Sequence, residues 1–221
     1  MNTLTTPPFA PLLDRLFDAS SEASPEGHAA LADLSQEALT RLMQSKTDYV
    51  DFYTRLKSLP LAVSRETGAL LYMLARHGRA RTIVEFGTSF GLSTLYLAAA
   101  LRDNGGGQLI TTEFEPSKVV RARDHLTEAG LIDLVEIREG DALQTLSVDL
   151  PGRIDLVLLD GAKALYPEVL RLLQDHLRPG ALVIADNADY SPDYLAYVRS
   201  PANSYLSVPF GGDVELSMRQ G

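Results

Sequence analysis

The feature that most constrains this chain is one strand–turn–helix unit, TIVEFGTSFG (Thr82–Gly91) followed by LSTLYLAAALR. Ile83 and Val84 form the apolar run of a buried parallel strand, and the helix that follows is apolar on every side. A strand that turns straight into a helix brings backbone N–H groups and a helix N-terminus to the carboxyl edge of a sheet. Open α/β sheets bind ligands at that edge, and helix starts attract anions there. Gly87 and Gly91 let the backbone approach a ligand where a Cβ would clash, and Glu85 can accept hydrogen bonds from it. A dinucleotide-binding G-x-G-x-x-G turn is excluded, because these glycines are four apart and position 89 is Ser.

Strands and helices alternate on either side of this unit. Strands are predicted at Thr82–Phe86, Gln108–Phe114, Val135–Glu139, Ile154–Leu159 and Ala181–Ala185. Ser64 is placed to cap the helix ALLYMLARHG, Ser117–Ala129 ends at a C-cap glycine, Gly130, and a helix spans Tyr166–Leu177 up to Pro179-Gly180. Tyr205–Pro209 and Asp213–Arg219 flank Phe210-Gly211-Gly212 as a closing hairpin. The predicted fold is α/β, a Rossmann-like, doubly wound, mostly parallel seven-stranded sheet with a C-terminal antiparallel hairpin. It forms the main domain, 61–221. Residues 1–60 read as an N-terminal helical extension. Leu12, Leu13, Leu16 and Phe17 share one helix face, Ser20–Gly27 is a polar break, and a second helix spans Pro25–Gln44 with Leu31, Leu34, Leu39, Leu42 and Met43 on its apolar side. A third covers Asp48–Ser58. These apolar faces should pack on the domain or on a second subunit, and a homodimer is the preferred expectation.

Composition narrows the function. The 221 residues include no Cys, so thiolate metal sites and Cys nucleophiles are excluded. A net charge of −9 lacks the basic footprint of a nucleic-acid binder. No apolar run is long enough for a membrane span, and the start has no signal-peptide pattern, so a cytoplasmic enzyme with a small-molecule partner is expected. His28, His77, His125 and His176 form no ligand pattern.

Chemistry-bearing residues recur at strand ends. Glu113 closes strand two, where a carboxylate can accept from both ribose hydroxyls, although a solvated loop acid fits the position too. Asp141-Ala142 follows strand three, where a small residue lets an adenine ring lie against the backbone. Strand four ends in Asp160 with Lys163 three residues on, and strand five ends in Asp186-Asn187. Two carboxylates and an amide oxygen suit a hard cation such as Mg²⁺, and Asp-Asn is also ordinary turn chemistry.

Together these motifs resemble the cation-dependent class I S-adenosylmethionine O-methyltransferases, the family of catechol and caffeoyl-CoA O-methyltransferases. The likeness runs from Val63 to Arg219. It implies cofactor contacts at Val63, Glu85, Gly87, Ser93, Glu113, Asp141, Ala142 and Asp160. It further implies metal ligands at Asp160, Asp186 and Asn187, with Asp160 and Lys163 as catalytic residues and Lys163 taking the proton. The implied activity is methyl transfer from S-adenosylmethionine to a hydroxyl of a small catechol-like or vicinal-diol substrate, with Mg²⁺ or another divalent cation. The chain departs from the family in three places. Gly161-Ala162 replace bulky residues of the catechol enzymes, Trp is absent, and no long insertion follows Asn187. Two rivals remain: a methyltransferase of hydroxylated tRNA bases on the same fold, and a non-catalytic cofactor-binding module.

Overall fold

A computed structural model describes residues 2–22 and 31–221. Its centre is a seven-stranded sheet of order β3-β2-β1-β4-β5-β7-β6. The strands are β1 (Thr82–Phe86), β2 (Gln108–Glu113), β3 (Val135–Glu139), β4 (Ile154–Leu159), β5 (Leu177–Ala185), β6 (Tyr205–Phe210) and β7 (Val214–Arg219). The first five are parallel, and β7 runs antiparallel to both β5 and β6. The chain order reverses between β1 and β4, which makes their carboxyl ends the topological switch point where such sheets bind ligands.

The helices in chain order are α1 (Phe9–Glu22), α2 (Gln36–Met43), α3 (Tyr49–Arg55), α4 (Arg65–His77), α5 (Leu92–Asp103), α6 (Pro116–Glu128), α7 (Ala142–Thr145), α8 (Tyr166–Leu173) and α9 (Pro192–Val198). One face of the sheet packs with α1, α4, α5 and α6, and the other with α8 and α9. Every residue of α5 from Leu92 to Leu101 is buried, which explains why its sequence is apolar all round. Ser64 caps α4 as expected, its side chain accepting from the Thr67 N–H.

Three boundaries differ from the sequence expectation. Residues 25–30 of the expected second helix, and with them His28, lie outside the described residues. The described part is not one helix: residues 31–33 form a turn, and α2 starts afresh at Gln36, where the Ser35 hydroxyl accepts from the Ala38 N–H at 3.2 Å. A serine that bonds to nearby backbone favours such a cap over a helix interior. The polar break begins later than Ser20, since α1 continues to Glu22. The helix expected to reach Leu177 ends at Leu173, and β5 starts at Leu177, opposite Ile154. Pro179, which lacks an N–H, sits where the register with β4 shifts, so it interrupts the ladder without ending the strand.

The N-terminal helices pack on their own domain, and they do so in two ways. Phe9, Leu12, Leu13 and Leu16 of α1 join the main core beside α5. Phe52, Leu56 and Leu59 instead form a small separate cluster with Leu34, Leu39, Leu42 and Met43. This second body, α2–α3, is a cap over the carboxyl edge of the sheet.

Candidate active site

Two cavities lie under the cap. The first, about 710 Å³, is a cleft across the ends of β1, β2, β3 and β4. Of the residues expected at a cofactor site, Gly87, Glu113, Asp141, Ala142 and Asp160 line it. Gly87 has φ +103°, and a Cβ there would stand 2.6 Å from the Asp160 carbonyl oxygen. Its missing side chain thus lets β1 and β4 meet at the switch point, in addition to leaving the turn open to a ligand. Gly161 has a comparable cause: a Cβ would strike the Phe86 ring at 2.5 Å. The Phe86 ring from β1 thus fills the space beside Gly161 and lines the same cleft.

Glu113 is held at both oxygens, by the Ser89 N–H at 2.8 Å and the Glu115 N–H at 3.0 Å. A carboxylate has about four acceptor sites, so acceptor capacity remains for a ligand hydroxyl. Burial pushes the Glu113 carboxyl up, against the opposing pull of the Glu115 N–H and the Lys118 charge. Lys118 is itself buried, and burial pushes its ammonium down.

Val63, Glu85 and Ser93 lie behind the cleft lining, all of them buried. The Glu85 carboxylate accepts from the hydroxyls of Ser93, Thr94 and Thr111, each at 2.6 Å. Burial nevertheless pushes it up to about 7, because neutral hydroxyls only partly replace water around a charge. Glu85 and Ser93 therefore bond to each other and brace the turn against α5.

The second cavity, about 730 Å³, has Asp160, Lys163, Asp186 and Asn187 in its floor. Its roof is apolar: Leu31, Leu39, Met43, Phe52 and Leu56 of the cap. The two cavities meet at Asp160, Tyr53 and Leu61, which line both. Lys163 is buried and its Nζ lies 2.8 Å from Asp160 Oδ1. Burial alone would push this ammonium down, but Asp160 and the nearby phenols of Tyr166 and Tyr53 hold it well above the usual lysine range. A lysine that is to take a proton needs a lowered pKa, and the Asp160 partnership opposes that. Asp186 is pushed up to about 7, first by burial and then by the Asp160 charge. Asn187 sits at φ +48°, and its amide nitrogen donates to Asp213 at 2.9 Å, which leaves the amide oxygen for the cavity.

The described residues hold no group of three or more His, Cys, Asp or Glu side chains arranged for a metal ion. The donor set here is two carboxylates and one amide oxygen, a composition that suits a hard cation retaining several water or substrate oxygens. Burial first and the Asp160 charge second raise Asp186, and two carboxylates this near each other repel unless a cation or proton lies between them. The residues fit a divalent cation.

Tyr49, Tyr53 and Lys118 line these cavities without having been singled out in the sequence. The signal for the tyrosines was present in DYVDFYTR, where residues 49 and 53 share a helix face. Lys118 looks like a solvated helix residue, and only the packing shows otherwise.

Comparison with known proteins gives a consistent picture. A family model described as a methyltransferase domain matches residues 84–188. Catechol O-methyltransferase B of Danio rerio is 31% identical over 214 residues, 93% of this chain and 80% of that protein. Catechol O-methyltransferase of Niastella koreensis is 37% identical over 130 residues, and that alignment covers 58% of each chain. The chain thus spans little more than half the length of this relative. Among solved structures, the O-methyltransferase TomG from Streptomyces achromogenes, in complex with SAM, superposes with a TM-score of 0.64 at 30% identity, over 83% of this chain and 94% of that one.

Proposed function

The chain belongs to the catechol O-methyltransferase family of class I S-adenosylmethionine-dependent methyltransferases, and from that premise we propose that it is a divalent-cation-dependent O-methyltransferase. Its methyl donor is S-adenosylmethionine, its cation Mg²⁺ or a similar ion, and its acceptor a small catechol-like or vicinal-diol compound. The observation that carries this reading is the junction of the two cavities at Asp160, beneath an apolar roof.

S-Adenosylmethionine supplies an electrophilic methyl on sulfur, and a cation held by Asp160, Asp186 and Asn187 would acidify the acceptor hydroxyl and draw the Asp160 charge away from Lys163. The protein's own residues do the rest. Glu113 would accept from the ribose and the Asp141-Ala142 backbone would border the adenine, while Gly87 keeps the turn open. Val63, Glu85 and Ser93 stand outside the lining; Glu85 and Ser93 brace the turn through their mutual hydrogen bond, and Ser93 is the residue proposed to meet the cofactor's carboxylate. With the Asp160 charge drawn away, Lys163 would first release its own proton to solvent, and the neutral Nζ would then take the hydroxyl proton. The cap excludes water from the acceptor oxygen and fixes its approach, and orientation of that kind supplies much of the rate in such transfers.

The roof separates this reading from its rivals. Lys163 is the one cation among the described residues lining the second cavity, and Asp160 engages it. A tRNA acceptor needs a basic track that the leucines and Met43 do not offer. A non-catalytic module has no use for the buried Asp160–Lys163 pair. For a homodimer the surface proposed is edge strand β6, where Leu206, Val208 and Phe210 are apolar and exposed. Sedimentation of wild type against Phe210→Asp tests that surface. The activity is tested with methyl-labelled cofactor, a catechol panel and bulk tRNA, with and without EDTA. Label in the catechols that disappears in EDTA is expected. Label in tRNA alone, or in neither, overturns the reading.

A further inference from the structure

Tyr49 of α3 reaches from the cap to the floor of the cofactor cleft, where its hydroxyl donates to Asp141 Oδ2 at 3.0 Å. The other Asp141 oxygen accepts from the Leu143 N–H at 2.8 Å, as the cap of α7. Asp141 is therefore gripped from two sides, and one grip belongs to a different structural body. Tyr49 and Tyr53 lie one turn apart on α3, and both pack against the core cluster that holds α8. Tyr49, Val50 and Tyr53 wall the cofactor cleft, while Phe52 and Tyr53 wall the second cavity. Among the described residues, α2–α3 is also tied by the Lys46–Glu168 ion pair at 2.7 Å, half-exposed and so of small weight. The apolar side chains of the cap pack mainly on one another, in a cluster separate from the two core clusters. A body that packs on itself and touches the core at few points can lift without opening the core.

We propose that α3 is a clamp on the bound cofactor, with Tyr49 as a positioning residue whose grip on Asp141 seats the roof of the acceptor cavity. The proposal rests on the cofactor reading given above. A ligand in the cleft packs against the same wall that Tyr49 anchors, so ligand and Tyr49 secure the cap together. Burial and Asp141 push the Tyr49 phenol up to about 12, so it remains a donor throughout the working range. Because α3 walls both cavities, an unseated cap leaves the acceptor side open to water even when the floor is intact.

The test uses the full chain, wild type and Tyr49→Phe, with S-adenosylhomocysteine as the probe. Limited trypsin digestion at the exposed Arg41, Lys46 and Arg55 reads the cap, and calorimetry reads affinity. The cofactor product should slow cleavage of the wild-type cap by about tenfold and that of Tyr49→Phe by less than about threefold. Its affinity for the variant should be roughly three- to tenfold weaker, the scale of one lost hydrogen bond. A purely structural tyrosine would speed cleavage equally with and without ligand and leave the protection ratio unchanged. An unchanged ratio with unchanged affinity overturns the proposal, and so does wild-type binding without protection; both leave the cofactor reading standing. Absence of binding to the wild type overturns the proposal together with that reading. Near-ultraviolet circular dichroism matching the wild type shows that the variant is folded, and a second variant, Asp141→Asn, should lose protection in the same direction.

Discussion

The floor and the roof of the site are held in place by different physics. Asp160 and Asp186 stand at the ends of β4 and β5, whose neighbouring side chains are fully buried and whose backbones are paired on both sides. Their positions are set by the sheet, and the sheet cannot shift without unpacking the core. Leu39, Met43 and Phe52 are set by a small cluster of their own, tied down by two tyrosines and one half-exposed ion pair. The contrast extends to the N-terminal segment itself. α1 buries four apolar side chains in the core, and Thr3 just before it bonds Asp103 through its hydroxyl at 2.6 Å, whereas α2–α3 reaches the core through Tyr49, Tyr53 and the Lys46–Glu168 pair. Under the proposed function, chemistry falls to the sheet ends and acceptor shape to the cap.

The comparison breaks first at Lys163. If the floor carries the chemistry, Lys163→Ala lowers kcat by about 10²–10⁴ with little change in acceptor KM, the range for losing a general base. Steady-state kinetics across pH check this, and near-normal turnover would reduce the lysine to a partner of Asp160.

The end of β1, outside the cleft lining, should also show a pH signature. Glu85 has its folded pKa raised to about 7 from an ordinary 4.5. For an acid raised in this way, the folded state binds the extra proton. The stabilising contribution is therefore full below about 4.5 and is lost as pH rises through 7. Relative to wild type, Glu85→Gln should gain about 3 kcal/mol of stability between pH 4.5 and 8, since each tenfold change in proton affinity is worth about 1.4 kcal/mol. Denaturant melts at the two pH values measure the difference, and a flat difference would mean that Glu85 titrates normally.

Glu113→Ala should weaken binding of S-adenosylhomocysteine by roughly one to two decades, through loss of charge-assisted hydrogen bonds of about 1.5–3 kcal/mol. Calorimetry showing wild-type affinity would remove Glu113 from the cofactor site. The smallest effect belongs to the roof. Met43→Ala should raise acceptor KM by about three- to tenfold, from about 1 kcal/mol of lost apolar contact, while leaving kcat and cofactor affinity alone. A fall in kcat instead would mean that the cap takes part in the chemistry and would erase the distinction between roof and floor.

The floor was legible in the sequence because strand ends are set by short-range pattern. An apolar run, a turn and an acid place Asp160, Asp186 and Glu113 without knowledge of distant contacts. The partnerships among those residues were less legible. Glu85 reads as a ligand acceptor, but three hydroxyls from α5 and β2 occupy it, and Thr111 meets it only through strand pairing. Lys163 reads as a base but sits as an ammonium beside Asp160. The roof was least legible. Ser35 ends one turn and starts another helix within what looks like one apolar stripe, and Tyr49 meets Asp141 across 92 positions of sequence. No local rule encodes such a meeting.

The central claim is that two carboxylates and an amide in the floor hold a cation on which turnover depends, while the cofactor cleft stands without it. The most direct test measures two quantities on one preparation, stripped of metal and then reloaded with Mg²⁺: methylation of a catechol and affinity for S-adenosylhomocysteine. Turnover should vanish on stripping, return on reloading in wild type, and fail to return in Asp186→Ala, with affinity within about threefold in all three states. Full turnover in the stripped wild type, or full recovery in Asp186→Ala, would contradict it.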